Sequence, residues 1–274
     1  MGLLIIDENL CERDGFCARE CPAAIIRLPE DDGFPEIVKG GEAGCIRCGH
    51  CVAACPHGAL SHADVSLQSS PEIQEALKVN EAQAEQFLRS RRSVRVFKDK
   101  PVEKEKIQRL IEIARYAPTG GNSQMIEWLA ITDKLRMKKI AGLTIDWLRQ
   151  VVKDPAVAAA SPYLPMIVAA WDAGYDSVLR NAPAVVLASA PKEAINGQVD
   201  LTIALTYLDL TAPTLGLGTC WAGLLQGALL NVPSLKEEVG MPVDHPHHYP
   251  MMLGYNDIEY YRMPERKKPK IAFV

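Results

Sequence analysis

The chain has 274 residues, of which 48% are hydrophobic and 23% are charged, and its formal net charge is −4 at pH 7. That composition is typical of a folded globular protein and excludes a disordered tail protein or a collagen-like chain. Because an average domain has ~150 residues, the length predicts about two structural units.

The sequence and its charge also indicate where the protein is located and which classes of partner it does not bind. No apolar run approaches the ~20 residues of a membrane helix. The first ten residues carry acidic side chains where a secretory signal would be basic and then apolar. The charge balance gives no basic face large enough to neutralise a nucleic-acid backbone. We therefore expect a cytoplasmic protein that binds neither a membrane nor a nucleic acid.

Cysteine and charge divide the chain into unequal parts. Seven of the eight cysteines lie between residues 11 and 55, and residues 1–66 hold eleven acidic against five basic side chains, a net charge of −6. Since no secretory signal is seen, reduced thiols and metal ligation are favoured over disulfides. We predict a cysteine-rich domain over residues 1–65, a linker and connecting helix over 66–83, and a second domain over 84–274.

The cysteines form two groups of related spacing. Three thiolates spaced by two residues each wrap one iron–sulfur cube, while a fourth thiolate that precedes a proline reaches a second cube. A zinc site needs only four thiolates in paired units, so this spacing favours iron–sulfur clusters. The first group reads Cys11-x5-Cys17-x3-Cys21-Pro22, and the second reads Cys45-x2-Cys48-x2-Cys51-x3-Cys55-Pro56.

These two groups resemble a two-cluster bacterial ferredoxin over residues 3 to about 62. The resemblance implies a ferredoxin-type fold with two sets of cluster ligands. Each set combines cysteines of one group with one cysteine of the other group. One cluster would be held by Cys21, Cys45, Cys48 and Cys51, and the other by Cys11, Cys17 and Cys55.

Asp14 occupies the position where the first group lacks a cysteine. One interpretation makes it a ligand, which gives either a [4Fe-4S] cluster with one oxygen ligand or a [3Fe-4S] cluster, because carboxylate holds iron less firmly than thiolate. The alternative is a turn residue before Gly15, a common place for Asp. We favour ligation because Asp14 falls on the ligand position.

The second domain shows alternating helix and strand patterns. Apolar periodicity predicts helices over residues 72–89, 102–116 and 199–215. Runs rich in β-branched and aromatic residues predict strands over residues 94–97, 128–132, 183–188 and 251–254. The pattern predicts an α+β or α/β domain.

A cluster of basic side chains opens this domain. Arg91, Arg92, Ser93 and Arg95 can surround a phosphate, since guanidinium groups donate paired hydrogen bonds and a hydroxyl adds another. Taken alone, the cluster is more typical of a basic helix C-terminus. Farther along, residues 117–124 form a small-residue turn with Asn122, whose amide suits the edge of a heteroaromatic ring.

Together with residues 215–223 and 253–255, these stretches resemble the FMN-dependent nitroreductase family over about residues 84–274. The resemblance implies an α+β fold with a central mixed or antiparallel sheet between helices, and a homodimer. It also implies an FMN whose reactive nitrogen is near the backbone of Gly223 and its neighbours. The implied FMN contacts are Arg91, Arg92, Ser93, Arg95, Asn122, Ala222, Gly223, Leu224, Arg266 and Lys267.

Two features of this domain have ordinary explanations. Cys220 has no neighbouring base in the sequence, so we expect it to pack as a small buried side chain. His245, His247 and His248 do not have the spacing of a helix-borne metal site, so we expect a loop that leads into a strand.

The combined prediction is an iron–sulfur flavoprotein oxidoreductase with the flavin as its catalytic centre. We expect a low-potential donor to supply electrons to two clusters, which pass them to FMN and on to a flat, electron-poor small molecule: a nitroaromatic, a quinone or an activated alkene. One alternative is an NAD(P)H-driven nitroreductase whose clusters are a side path or an exit for electrons. Another is a non-catalytic electron carrier or flavin-binding module.

Overall fold

The computed structural model describes residues 2–30 and 33–274. Contacts within the chain separate two compact units, Met1–Lys78 with Gly121–Ser123, and Val79–Gly120 with Gln124–Val274. None of the helices in the described ranges has the length and apolar composition that crossing a bilayer requires.

The first unit contains two small antiparallel sheets and two short helices. Its elements are β1 (Leu4–Ile6), α1 (Phe16–Glu20), β2 (Ile26–Arg27), β3 (Glu36–Ile37), α2 (His50–Ala53) and β4 (Leu60–His62). Strand β1 pairs with β4, with Leu4 opposite His62, and β2 pairs with β3. Gly15 and Gly49 precede the two helices in the left-handed region, with φ of 72° and 73°, where a side chain would be strained.

The second unit is built from helices on both sides of one sheet. Its helices are α3 (Glu81–Ser90), α4 (Lys104–Ala114), α5 (Lys134–Val151), α6 (Pro155–Ala160), α7 (Tyr163–Asp172), α8 (Gly197–Thr211), α9 (Gly223–Asn231) and α10 (Pro233–Val239). Its strands are β5 (Glu127–Ile131), β6 (Ala184–Ala190), β7 (Gly218–Trp221) and β8 (His247–Gly254). The strand order is β5-β6-β8-β7, and every pair is antiparallel.

Strand β6 is one of the two inner strands of this sheet, and all seven of its residues are buried. Because side chains alternate along a strand, Val185 and Leu187 face one helical layer that includes α5 and α9. Ala184 and Val186 face the other layer, formed by α4 and α8. The expected α+β class with a central antiparallel sheet flanked by helices is confirmed.

Several predicted elements of the second unit agree with the structure to within a few residues, and two were wrong. Residues 72–89 do not form one helix. A 3₁₀ turn covers Glu75–Leu77, and α3 begins only at Glu81 because Asn80 and Gln83 form a capping box there. Residues 94–97 do not form a strand, although Phe97 makes a single β-bridge with Asn256. Strand β7 was not predicted.

The histidine tract is divided between a loop and β8. His245 is buried before the strand, with its Nδ1 2.8 Å from the Ser189 hydroxyl. His248 lies within β8, fully buried, with its Nδ1 3.1 Å from Gln226 Oε1. Both rings are therefore parts of the packed interior.

Burial of His248 predicts a pH dependence of stability. Desolvation lowers the pKa of His248 to about 4, whereas an imidazole in the unfolded chain keeps a pKa of ~6.5. The unfolded state thus binds the proton more readily. The stabilisation is complete above about pH 6.5 and is lost as the pH falls toward 4, by roughly 3 kcal/mol in all.

We expect His248→Gln to flatten the decrease in the free energy of unfolding between pH 6.5 and 4.5. All four tryptophans lie in the second unit, so tryptophan fluorescence during urea unfolding reports on this unit. The exposed His50 gives the control variant His50→Gln, which should keep the wild-type slope. An equal slope in His248→Gln and wild type would contradict the assignment.

Candidate functional site

Two cavities in the first unit collect the predicted cluster ligands. One is lined by Cys21, Cys45, Cys48 and Cys51 together with His62. The other is lined by Cys11, Asp14, Cys17 and Cys55 together with His57. None of the eight cysteines forms a disulfide. The structure therefore brings together the same sets that the ferredoxin resemblance implies.

The two halves of this unit repeat one backbone pattern. Each cysteine of the first group has a counterpart 34 positions later (45 − 11 = 34), and the counterpart of Asp14 is Cys48. The backbone conformation repeats at the same spacing, because Arg13 and Arg47, which are also 34 positions apart, have φ of 55° and 54°. Asp14 thus occupies the structural position that a cysteine occupies in the other half.

The Asp14 carboxylate has two neighbours. Its Oδ1 accepts a hydrogen bond from the Phe16 backbone N–H at 3.0 Å, and its Oδ2 lies 3.2 Å from His57 Nε2. The first contact is the turn geometry of the alternative interpretation. The side chain also lines the cavity, so the structure accommodates both interpretations, and ligation by Asp14 stays a prediction.

The chemistry of the thiols fits a cationic group in each cavity. The pKa of Cys17 is raised to about 11, mainly by burial and to a lesser extent by the nearby charges of Asp14 and Cys11, while a hydrogen bond from Ala18 N–H acts in the opposite direction. Burial also raises the pKa of Cys51. Thiolates in such surroundings need positive charge beside them, which the iron of a cluster supplies.

The basic motif of the second unit is anchored by a residue that the sequence did not reveal. Arg91 Nη1 lies 3.5 Å from Oδ2 of Asp209, which is 4% exposed. The other oxygen of Asp209 accepts a hydrogen bond from the Thr219 hydroxyl. Thr219 O in turn accepts from Val94 N–H at 2.8 Å. Asp209 lies inside an apolar helical pattern, so only its spatial neighbours identify it.

A cavity of about 390 Å³ opens beside this motif, within the range of small-ligand sites. Arg91, Arg92 and Asp209 line it, and so does Asn256, whose buried Oδ1 has no hydrogen-bond partner among the described residues. The Asp209 carboxylate offsets the charge of Arg91. Arg92 pairs with none of the carboxylates that the structure describes, so its guanidinium is available to an anion.

The turn that contains Asn122 is held in an unusual conformation. Gly120 N–H donates to Asp200 Oδ1 at 3.0 Å, and Asn122 and Gln124 have φ of 54° and 50°. Within the first unit, the Asn122 amide donates to the carbonyls of Ile46 and Arg47, at 3.0 and 3.1 Å. Its Oδ1 is therefore the atom that could accept from a ligand.

The backbone around Gly223 begins a helix. Ala222 is the N-cap of α9, so the first N–H groups of the helix, at Gly223 and Leu224, have no acceptor within it and carry partial positive charge. A Cβ at Gly223 would lie 3.6 Å from the Tyr249 hydroxyl. These amides can therefore face a group that gains negative charge.

The remaining predicted residues lie apart from these features. Arg95 is exposed, and its Nη1 lies 3.5 Å from the carbonyl of Ser93. Arg266 and Lys267 are exposed in a C-terminal segment without regular structure, and neither lines the cavity beside Arg91 in the described chain. Cys220 is 5% exposed, and burial raises its pKa, as expected for a core thiol.

Comparison with known proteins agrees with both halves of this description. Residues 88–255 match the profile of the Nitroreductase family, and residues 9–60 match a 4Fe-4S dicluster domain. An FMN reductase (NAD(P)H) of Bacillus subtilis is 27% identical over 168 residues, 58% of this chain and 64% of that protein, so the chain spans less than two thirds of this relative. An Archaeoglobus fulgidus protein, provisionally named NADH dehydrogenase/NAD(P)H nitroreductase, is 24% identical over 183 residues, 66% of this chain and 90% of that protein.

Solved structures show the same fold. A nitroreductase with bound FMN from Bacteroides fragilis has a TM-score of 0.55 at 18% identity, and one from Desulfitobacterium hafniense has 0.55 at 19%. Each comparison covers 71% of this chain and 100% of the other.

The fold and the comparisons together show that a 4Fe-4S dicluster domain precedes a nitroreductase-fold domain in this chain. Since the family profile covers more than half of the chain, the chain belongs to the nitroreductase family. The predicted resemblance to both families is confirmed.

The position of Asp14 yields a spectroscopic prediction. If Asp14 is a ligand, Asp14→Cys replaces an oxygen by a firmer sulfur ligand, and the EPR spectrum of anaerobically purified protein should change to that of an all-thiolate [4Fe-4S] cluster. His57→Gln removes the neighbour of the carboxylate but keeps Asp14, so it serves as the control. Identical spectra for wild type and Asp14→Cys would rule out ligation.

Proposed function

We propose that this protein passes electrons from two iron–sulfur clusters to FMN and on to a flat, electron-poor small molecule, such as a nitroaromatic, a quinone or an activated alkene. The observation that carries the proposal is the presence of two cysteine-lined cavities in a chain that also belongs to the nitroreductase family. Membership in that family and the 4Fe-4S match support an iron–sulfur flavin oxidoreductase. The acceptor class rests on the resemblance described above.

The proposed clusters differ in their ligands. Cys21, Cys45, Cys48 and Cys51 would hold a [4Fe-4S] cluster. Cys11, Cys17 and Cys55 would hold the other, with Asp14 as the fourth ligand of a [4Fe-4S] cluster or beside a [3Fe-4S] cluster. Because ligand type and charge set the reduction potential of a cluster, the two clusters are expected to have different potentials. A difference in potential would determine which cluster accepts electrons first.

The proposed FMN contacts are those that the nitroreductase resemblance implies. Arg91, Arg92 and Ser93 would hold the phosphate, with Arg266 and Lys267 joining them, while Arg95 and Asn122 would contact the ring. FMN would supply the conversion between one-electron carriers and a two-electron acceptor. The amides of Gly223 and Leu224, at the start of α9, would stabilise negative charge that develops on the ring.

We further propose that a low-potential donor supplies the electrons and that the protein works in the cytoplasm as a homodimer. Membership in the nitroreductase family supports a small-molecule substrate. A second candidate, direct reduction by NAD(P)H with the clusters as a side path, is favoured by the name of the Bacillus subtilis relative, an FMN reductase (NAD(P)H).

Arg92 gives a direct test of the phosphate site. A charge-assisted hydrogen bond contributes roughly 1.5–3 kcal/mol, so Arg92→Gln should weaken FMN binding by about 10- to 100-fold. Riboflavin lacks the phosphate, so its affinity should stay unchanged. Arg109→Gln, on the exposed face of α4, is the control. An equal loss for FMN and riboflavin, measured by fluorescence quenching, would contradict the assignment.

Cluster-fed reduction can be separated from direct reduction by stopped-flow mixing. We expect a low-potential one-electron donor to bleach the flavin rapidly in wild type and slowly in Cys48→Ser, which lacks a cluster ligand. NAD(P)H should bleach both proteins slowly. Rapid bleaching of Cys48→Ser by NAD(P)H would defeat the cluster-fed model and support the second candidate.

A further inference from the structure

His62 is a buried histidine beside a predicted cluster ligand. It ends strand β4, its relative exposure is 4%, and it lines the cavity that contains Cys21, Cys45, Cys48 and Cys51. Its Nε2 lies 3.4 Å from Cys45 Sγ, within hydrogen-bonding range for sulfur. The ring is thus held between the β4 backbone and the wall of the cavity.

Contacts on the other side of the ring fix its tautomer. The backbone N–H of Asp64 donates to His62 Nδ1 at 3.0 Å, so Nδ1 is an acceptor and carries no proton. In the neutral ring the proton is then on Nε2, the atom that faces Cys45. The Asp64 carboxylate does not alter this assignment, because its Oδ2 lies 4.0 Å from Nδ1 and pairs with Arg47 Nε at 3.3 Å.

Among the described residues of the other half, no equivalent of this contact is seen. At the 34-residue offset that relates the two halves, the counterpart of His62 is Leu28 (62 − 34 = 28), which has no donor. Cys55 of the other cavity receives a hydrogen bond from a backbone group instead, Ala59 N–H at 3.4 Å. In the described part of the chain, the cavity of Cys45 thus differs from the other cavity by a side-chain hydrogen-bond donor to a cysteine sulfur.

We propose that His62 is a positioning residue that donates an N–H···S hydrogen bond to the Cys45 thiolate and raises the reduction potential of the cluster that Cys45 holds. Reduction adds one electron from an external donor, and the added negative charge extends onto the ligand sulfurs. An N–H dipole directed at sulfur stabilises the reduced cluster more than the oxidised one, and such bonds are among the determinants of cluster potential. The inference rests on the proposed cluster ligation.

His62→Leu gives this position the residue of its counterpart and removes the donor. In redox titrations followed by EPR, we expect the equilibrium constant for reduction of this cluster to fall by up to tenfold. For one electron, that is a decrease of about 59 mV in its reduction potential. The other cluster should not shift. His62→Gln retains an N–H donor and should restore part of the potential. His50→Gln is the matched control, because His50 lines the same cavity but bonds to Glu20.

An unchanged potential in His62→Leu with full iron content would overturn the proposal, and so would equal shifts in the Leu and Gln variants. If His62→Leu does not assemble its cluster, hyperfine spectroscopy of the wild-type holoprotein labelled with ¹⁵N-histidine decides. A histidine nitrogen and an exchangeable proton coupled to the reduced cluster support the bond, and their absence overturns it. Wild-type protein without iron and sulfide would instead refute the proposed function itself.

Discussion

The exchange of one cysteine between the two halves of the first unit is the constraint on which this unit depends. Cys21 lies in the cavity of the second group, and Cys55 lies in the cavity of the first. Neither cavity is complete within one half. The buried core of the described part of this unit is small, and two of its six residues are themselves cysteines, Cys17 and Cys51. A domain of this size rarely buries enough apolar surface to fold unaided, so metal–ligand bonds are expected to contribute much of its folding free energy.

The second unit has the opposite character, because apolar packing holds it together. Strand β6 is buried on both faces, and two helical layers cover it. This scaffold fixes the segments that carry the proposed cofactor contacts. Asp209 reaches from α8 to Arg91 and to the start of β7, and Asp200 reaches from α8 to the turn at Gly120. Helix α8 thus supports both the segment at Arg91 and the turn at Gly120. It does so through the carboxylates of Asp209 and Asp200, which are each 4% exposed.

The sequence alone predicted those parts whose chemistry depends on local spacing. The cysteine groups and the arginine motif were found because their residue types recur at short, regular intervals. The ferredoxin resemblance implied two ligand sets, and the members of each set line one cavity. Helix α4 and strand β6 were predicted to within a few residues because their apolar patterns are continuous.

What escaped prediction depends on contacts between distant segments. His62, Asp209 and Asp200 gain their roles from partners 17, 10 and 80 positions away, respectively. No local pattern marks them. Strand β7 was missed because it is only four residues long and pairs with β8, which lies farther along the chain. Residues 94–97 have the composition of a strand, but their backbone bonds go to single partners such as Thr219, so no ladder forms.

The central claim is that one chain carries two clusters and a flavin. Iron, sulfide and flavin analysis of anaerobically purified protein, combined with its visible spectrum, tests it most directly. The account predicts about seven or eight iron atoms with similar amounts of sulfide, and one FMN for each chain. Protein that still lacked flavin bands after reconstitution with FMN, or that held about four iron atoms or fewer, would contradict it.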